Sequence, residues 1–336
     1  MNFFFFICAV QHAFSFSKSL FYFHNCGICF PHAKPLFSVL QRAALHPPLR
    51  RAAEMRHKTP ASAIRSSSSS MATSAECVEE LIRPFRESLK AQGFEIYPFK
   101  VGWYNAVVSR AHHLSPPADT LALVLVSTPS MFERCFLPFL QSQRCAAVRD
   151  PIDQCTAHTV SSSVSLCFPN QSVDVSYDYE MLPSRRPKFL AQTAAHVSGA
   201  AYYYQKSDIL SPPWGDKKMF GVCIHPRLGG WFAIRALLLF KDVQVGDELQ
   251  QKDPPDCVCS QEDRIELLER FNFRWQDWSY RDIVPTEESY SPQQREYFLT
   301  APGQRGALLR QWGYLTDADT EKQSSTNKRF TKDVPC

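Results

Sequence analysis

The residues best equipped for chemistry are a set of arginines among aromatic rings. Residues 274–281 read Arg-Trp-Gln-Asp-Trp-Ser-Tyr-Arg, with two Trp, one Tyr and two Arg in eight positions. Such a group stacks on flat surfaces and holds anions. Arg305 lies between short helical segments and can join it. Arg235 falls inside the apolar stretch 231–240, where a buried cation needs a partner. A group of arginines suits a small anion with several carboxylates, because each guanidinium can hold one in a bidentate fork. Nucleic acid is the competing reading, a solvated aromatic patch is another, and an internal salt bridge accounts for Arg235 taken alone.

A second set lies upstream. His196 and Gly199 form an HxxG within residues 191–201, a stretch dominated by small side chains that lets a flat ligand or another backbone approach closely. Many cobalamin-dependent enzymes carry the longer DxHxxG, in which His ligates cobalt and Asp orients its ring. Here Ala194 occupies the Asp position. Alone, His196 also reads as a hydrogen-bonded core histidine. Tyr202, Tyr203 and Tyr204 follow, and on a helix three successive rings point three ways, leaving at least one to stack on a planar group. Cys223 and His225 lie two apart on a predicted strand and so share a face. Gly229-Gly230 allows a tight turn beside a ligand.

Other chemistries lack their signatures. There is no GxGxxG, Walker A, HExxH or GxSxG, which argues against a dinucleotide-binding Rossmann domain and a P-loop enzyme. Cys26 and Cys29 form a CxxC, Cys257 and Cys259 are too close for a zinc knuckle, and no second pair sits at finger spacing. No metal site built from protein side chains is expected.

These groups need elements to position them. Apolar spacing predicts a helix over 77–92, stopped by Gly93, and a buried strand over 120–126. A helix start at Ser127-Thr128-Pro129 leads into apolar residues through 140. Alternation over 172–179 predicts a half-buried strand, and 184–205 reads as one helix with Leu190, Ala194, Val197, Ala201 and Tyr204 on one face. Strands 220–224 and 231–240 read as a hairpin through 225–230. Ser260 with Asp263 matches a capping box, Ser291-Pro292 starts another helix, and 307–312 forms a last one. Strands and helices mix without strict βαβ alternation, which predicts the α+β class.

The chain has 336 residues, 44% apolar and 21% charged, ordinary for a protein with a real core. Gly is scarce at 12 and Pro common at 24. Residues 1–70 hold eight Lys and Arg against the single acid Glu54, a charge of +7. The other 266 hold 29 basic and 32 acidic residues, a charge of −3, a poor match for phosphate-backbone binding. Residues 1–70 read as an extension, disordered or not in the functional chain, which would then begin at Met71; their Arg- and Ser-rich, acid-poor composition also resembles a mitochondrial transit peptide. The apolar run at the N-terminus is far short of a bilayer span. Twelve Cys without a secretory signal suggest a reducing compartment and a cytoplasmic location.

Several unbroken blocks carry a resemblance: Gly93-Phe-Glu-Ile-Tyr-Pro-Phe99, Trp103-Tyr-Asn105, Arg185-Arg-Pro-Lys188, Ala191-Gln-Thr-Ala-Ala-His-Val197, and Gly221-Val-Cys-Ile-His-Pro-Arg227 with Ile234-Arg235. From about Met71 to Trp312 the chain resembles the methylmalonic aciduria and homocystinuria type C family of cobalamin-processing enzymes. The resemblance implies a flavin-reductase/nitroreductase-like fold: a mixed, mainly antiparallel sheet flanked by helices with a C-terminal helical cap. The domain would span 71–313, with the cap at about 255–313 and a flexible tail at 314–336. It implies cobalamin bound base-off, contacted by Asp178, Phe189, Leu190, Ala191, Gln192, Tyr203, Tyr204, Gln205, Cys223 and Ile234, with His196, Gly199 and Gly221 also near that site. It implies glutathione held by Arg235, Arg281 and Arg305, flavin (FAD or FMN) as reductant, and NADPH feeding it through a reductase. Implied activities are glutathione-dependent dealkylation and reductive decyanation. Implied partners are a downstream type D adaptor, methionine synthase and a ligand-linked homodimer, with no nucleic acid or membrane. Phe189 replaces a smaller aliphatic residue of the family pattern, and Phe220 replaces Ser. The alternatives are a cobalamin carrier without turnover and a flavin-dependent nitroreductase-like oxidoreductase.

Overall fold

The computed structural model describes residues 74–142 and 150–315. The extension 1–70 with its CxxC, and the tail past residue 315, lie outside the described residues. The organising element is a four-stranded antiparallel sheet in the order β1-β2-β6-β3. Its strands are β1 (Phe94–Lys100), β2 (Thr120–Ser127), β3 (Val173–Tyr177) and β6 (Ala233–Gln244). β2 is buried along its whole length because both sheet faces are covered, which explains its unbroken apolar run. Leu121, Leu123 and Leu125 point into one core layer, and Ala122, Val124 and Val126 into the other.

The first layer packs against α1 (Ser74–Ala91) and α4 (Pro151–Cys167). It also holds side chains from α7 (Pro292–Leu299) and α8 (Pro302–Gln311). Between β2 and α4 the chain passes through a π-helical turn, Phe132–Phe136, into α3 (Leu137–Gln141). The helix expected from Ser127 therefore starts later. Thr128 instead donates from its amide and hydroxyl to the Gly93 carbonyl, which keeps 128–131 in a turn. The second layer contains residues of α2 (Val101–Val107) and α5 (Ala191–Val197).

Two expectations need correction. The helix over 184–205 is only α5, and Tyr202–Tyr204 is a strand, β4, paired with β5 (Val222–Ile224) in a separate two-stranded sheet. The chain leaves the helix at Gly199, whose φ is +78°, and small residues that favour close packing do not hold a helix together by themselves. The expected hairpin also fails. β5 pairs with β4, whereas β6 pairs with β2 and β3, so the turn at 225–230 links two sheets. α6 (Gln261–Phe273) starts as expected, with the Ser260 hydroxyl accepting from the Asp263 amide at 2.9 Å. Ser291 caps α7 in the same way, accepting from the Gln294 amide. No helix of the described residues is long and apolar enough to cross a membrane.

Candidate functional site

β6 carries the feature that organises the site. Val126 pairs with Ile234 and Leu125 with Ala236, so Arg235 is the extra residue of a β-bulge. A bulge reverses the facing of the residues beyond it. Ile234 therefore joins the second layer, although Ala236 and Leu238 on the same strand lie in the first. Arg235 turns the other way, donating from Nε to Ser127 Oγ at 2.9 Å, and its charge acts on Cys155 of α4. The Asp178 amide bonds to the Arg235 carbonyl at 3.1 Å, fixing the bulge from the β3 side.

On the Ile234 side, Phe189, Ala191, Cys223 and Ile234 share one buried cluster, with Leu190 and Tyr203 packed against it. The Leu190 amide donates to the Tyr104 hydroxyl at 2.8 Å. Cys223 Sγ donates to the Gln192 carbonyl at 3.6 Å, tying β5 to α5. Burial pushes the Cys223 thiol pKa up, so it is a poor nucleophile. The three tyrosines alternate because they lie on a strand. Tyr203 faces this cluster, whereas Tyr204 is buried in another, its hydroxyl donating to Asp256 and accepting from the Val258 amide. Gln205 is exposed, and its amide donates to Asp208. At Gly221 a Cβ would come within 2.6 Å of the Tyr203 ring, so glycine is needed there to admit that ring. His196 accepts the Tyr203 amide at Nδ1 over 3.2 Å, and burial lowers its pKa. The ring is then neutral with its proton on Nε2.

The arginines lie on the first-layer side. Arg281 is 3% exposed and is ringed by Trp231, Trp278, Tyr280 and Tyr290 at 5.1–5.5 Å. It donates to the Gly230 carbonyl, but its Nε has no partner, and among the described residues no carboxylate pairs with it. Arg305 lies 4.8 Å over Tyr297 and 3.8 Å from Asp150. Tyr290, under Arg281, stacks on Phe298, under Arg305, so one aromatic wall carries both cations. Buried oxygens of Asp150, Gln154 and Gln294 also lack partners. Arg274, by contrast, is exposed and tied to Glu266. Gly229 and Gly230 form the expected tight turn, and it packs on Arg281. A Cβ on Gly229 would meet the Arg281 carbonyl at 2.3 Å, and one on Gly230 would meet Arg281 Cα at 2.8 Å. They admit the Arg281 backbone itself.

A polar network that sequence reasoning missed anchors this turn. Glu95 accepts from Tyr97 OH at 2.5 Å and from Arg227 at 2.6 Å, with His225 Nε2 3.7 Å away. Burial alone would raise the Glu95 pKa. Hydrogen bonds from Tyr97 and Arg227, with the His225 ring beside them, outweigh it and hold the carboxyl at about 2. His225 Nδ1 accepts the amides of Arg227 and Leu228, which shapes the turn that meets Arg281. Both Glu95 and His225 lie in blocks quoted above, but nothing in their spacing signals a contact across 130 positions of chain. Among the described residues no group of three or more His, Cys, Asp or Glu could hold a metal ion.

Comparison with known proteins adds to this geometry. The model of the methylmalonic aciduria and homocystinuria type C family matches residues 93–309. A Danio rerio protein named cyanocobalamin reductase / alkylcobalamin dealkylase is 76% identical over 250 residues, 74% of this chain and 100% of its own. A Homo sapiens protein of the same name is 48% identical, over 77% of this chain and 90% of its own. The crystal structure of a Caenorhabditis elegans B12-trafficking protein, CblC, superposes with a TM-score of 0.65 at 31% identity, covering 70% of this chain and 97% of that one.

Proposed function

The chain belongs to the methylmalonic aciduria and homocystinuria type C family, and from that premise we propose that it is a cytoplasmic cyanocobalamin reductase and alkylcobalamin dealkylase. The observation that carries the reading is the meeting of Phe189, Ala191, Cys223 and Ile234 in one cluster, with Leu190 and Tyr203 beside them. There the flat corrin of the substrate would lie base-off, its nucleotide tail displaced to one side. His196 would not replace that tail on cobalt, because its Nδ1 accepts a backbone amide and its Nε2 carries the proton.

Across the bulge, Arg235, Arg281 and Arg305 would take the carboxylates of glutathione. The buried Arg281, with no counter-ion among the described residues, supports this, since a buried guanidinium is favourable only when an anion completes it. The clamp would aim the glutathione sulfur at the upper alkyl group of the cobalamin. The cationic surroundings favour the thiolate. It attacks the alkyl carbon, an S–C bond forms, and the Co–C bond breaks with its electron pair remaining on cobalt. The products are a thioether and cob(I)alamin. No side-chain nucleophile is required, and the buried, high-pKa Cys223 fits that.

For cyanocobalamin the route is reductive. A reduced flavin (FAD or FMN), regenerated through an NADPH-dependent reductase, would supply one electron to cobalt, and cyanide would leave with the bonding pair. We place the fold with the flavin-reductase/nitroreductase-like proteins on the same reading. Release would pass the product to the type D adaptor and methionine synthase.

The test is the visible spectrum of the full chain with methylcobalamin, before and after anaerobic glutathione. A base-off shift followed by conversion to cob(I)alamin is expected. Arg235→Ala should keep the shift and slow conversion about 10- to 100-fold, the size of a lost charged hydrogen bond. A shift without conversion would leave a carrier. No shift would overturn the cobalamin reading and favour a flavin-dependent oxidoreductase.

A further inference from the structure

Behind Arg235 lies a pair of thiols that the proposed reaction does not use. Cys135 Sγ is 3.5 Å from Cys155 Sγ and 3.2 Å from Thr159 Oγ1. Cys135 sits on the π-helical turn Phe132–Phe136, and Cys155 and Thr159 lie one turn apart on α4. The two sulfurs are 20 positions apart in sequence and are brought together only by the packing of that turn on α4. Cys155 is fully buried, whereas Cys135 retains 6% exposure. π-helical turns of this kind are frequent at functional sites. We propose that Cys135 and Cys155 are a redox-active dithiol that hydroperoxide closes to an intramolecular disulfide.

The roles of the two sulfurs follow from their surroundings. The contact with Cys155 lowers the Cys135 pKa; burial opposes this, and Thr159 adds to the lowering. The same contact, together with burial, keeps Cys155 protonated. Cys135, which keeps some exposure while Cys155 is fully buried, is therefore the attacking thiol and Cys155 the resolving one. The Cys135 thiolate attacks one peroxide oxygen, an S–O bond forms, the O–O bond breaks, and hydroxide leaves to take up a proton as water. Cys155 sulfur then attacks the resulting sulfenic acid, which loses its oxygen as a second water while the S–S bond forms. Two thiols are oxidised by two electrons and one hydroperoxide is reduced. Arg235 faces Cys155 from β6, and its charge favours the thiolate form in the second step. Closure needs the sulfurs to approach from 3.5 Å to about 2.05 Å. This inference does not depend on the cobalamin reading, because it concerns only the chain's own sulfurs.

The experiment treats the full chain with hydrogen peroxide, quenches it, blocks remaining thiols under denaturing conditions and maps the digest by tandem mass spectrometry. The expected product is a Cys135–Cys155 cross-link that a reductant removes, formed while Cys223 is still alkylated. Cys155→Ser should stop at a Cys135 sulfenic acid captured by dimedone. Cys135→Ala should leave Cys155 reduced, and circular dichroism would show that this variant is folded. Cross-linking through Cys167 or Cys259 instead, or both thiols remaining alkylatable while exposed Cys259 oxidises, would overturn the proposal.

Discussion

Glu95 shows what a single side chain contributes here. Its carboxylate is held at about 2 against an ordinary 4.5, because His225, Tyr97 and Arg227 converge on it. The folded-state pKa is depressed, so the contribution to stability is present above pH 4.5 and is lost as pH falls toward 2. At about 1.4 kcal/mol per unit it amounts to on the order of 3 kcal/mol. Glu95→Gln should lower stability at pH 7 by roughly 1–3 kcal/mol. It should also flatten the fall in urea midpoint between pH 5 and pH 2. An unchanged acid limb would show that the carboxylate is not held in this way. Trp278 adds a second residue-scale effect. Its φ of 61° places a bulky side chain in the left-handed region, stabilised by edge contacts with Trp231 and Tyr290. The Arg281 amide then bonds to its carbonyl, so this backbone conformation helps aim the caged guanidinium.

At the scale of elements, the turn between β5 and β6 and the 3-10 segment containing Arg281 (Ser279–Asp282) act as one joint. The Gly230 amide donates to the Arg281 carbonyl at 2.9 Å, and Arg281 returns a bond to the Gly230 carbonyl. Gly230→Ala would push a methyl to 2.8 Å from Arg281 Cα. We expect it to cost about 1–3 kcal/mol of stability, as overpacking does. The glutathione KM should rise more than the methylcobalamin Kd, because the displaced residue is an arginine of the proposed clamp. Equal changes in both constants would argue that the joint serves folding alone. The β-bulge at Arg235 is the other decisive element. Without the extra residue, Ile234 and Arg235 would exchange layers, and neither would reach its present neighbours.

For the molecule as a whole, two layers lie on opposite faces of the main sheet and meet at the bulge, where Ile234 and Arg235 are consecutive residues. The cluster around Ala191, Cys223 and Ile234 lies on one side, and the aromatic wall of Trp231, Tyr290 and Phe298 lies on the other. Sites built on separate layers should respond to mutation nearly independently. Gln192→Ala should weaken methylcobalamin binding, while the glutathione KM at saturating cobalamin moves by less than about twofold. Its backbone carbonyl still accepts from Cys223, so the helix keeps its place. A parallel rise in both constants would mean that Gln192 also helps to hold glutathione.

Much of this was legible in the residues. The buried strand β2 was readable because both of its faces are apolar, and the caps of α6 and α7 because capping is local chemistry between residues three apart. The α+β class and the arginine- and aromatic-rich 274–281 segment were readable for the same kind of reason: composition and short spacing express them directly. The family was readable from its long unbroken blocks. What only the tertiary structure decided involves distant pairing. Tyr202–Tyr204 became a strand because Val222–Ile224 supplied a partner, outweighing the helical spacing of the small residues before them. The bulge that sends Ile234 and Arg235 to opposite layers depends on the register of β6 against β2. The Glu95–His225 network and the Cys135–Cys155 pair join residues 130 and 20 positions apart. Periodicity describes one element's faces, and it carries no record of which face of another element will meet them.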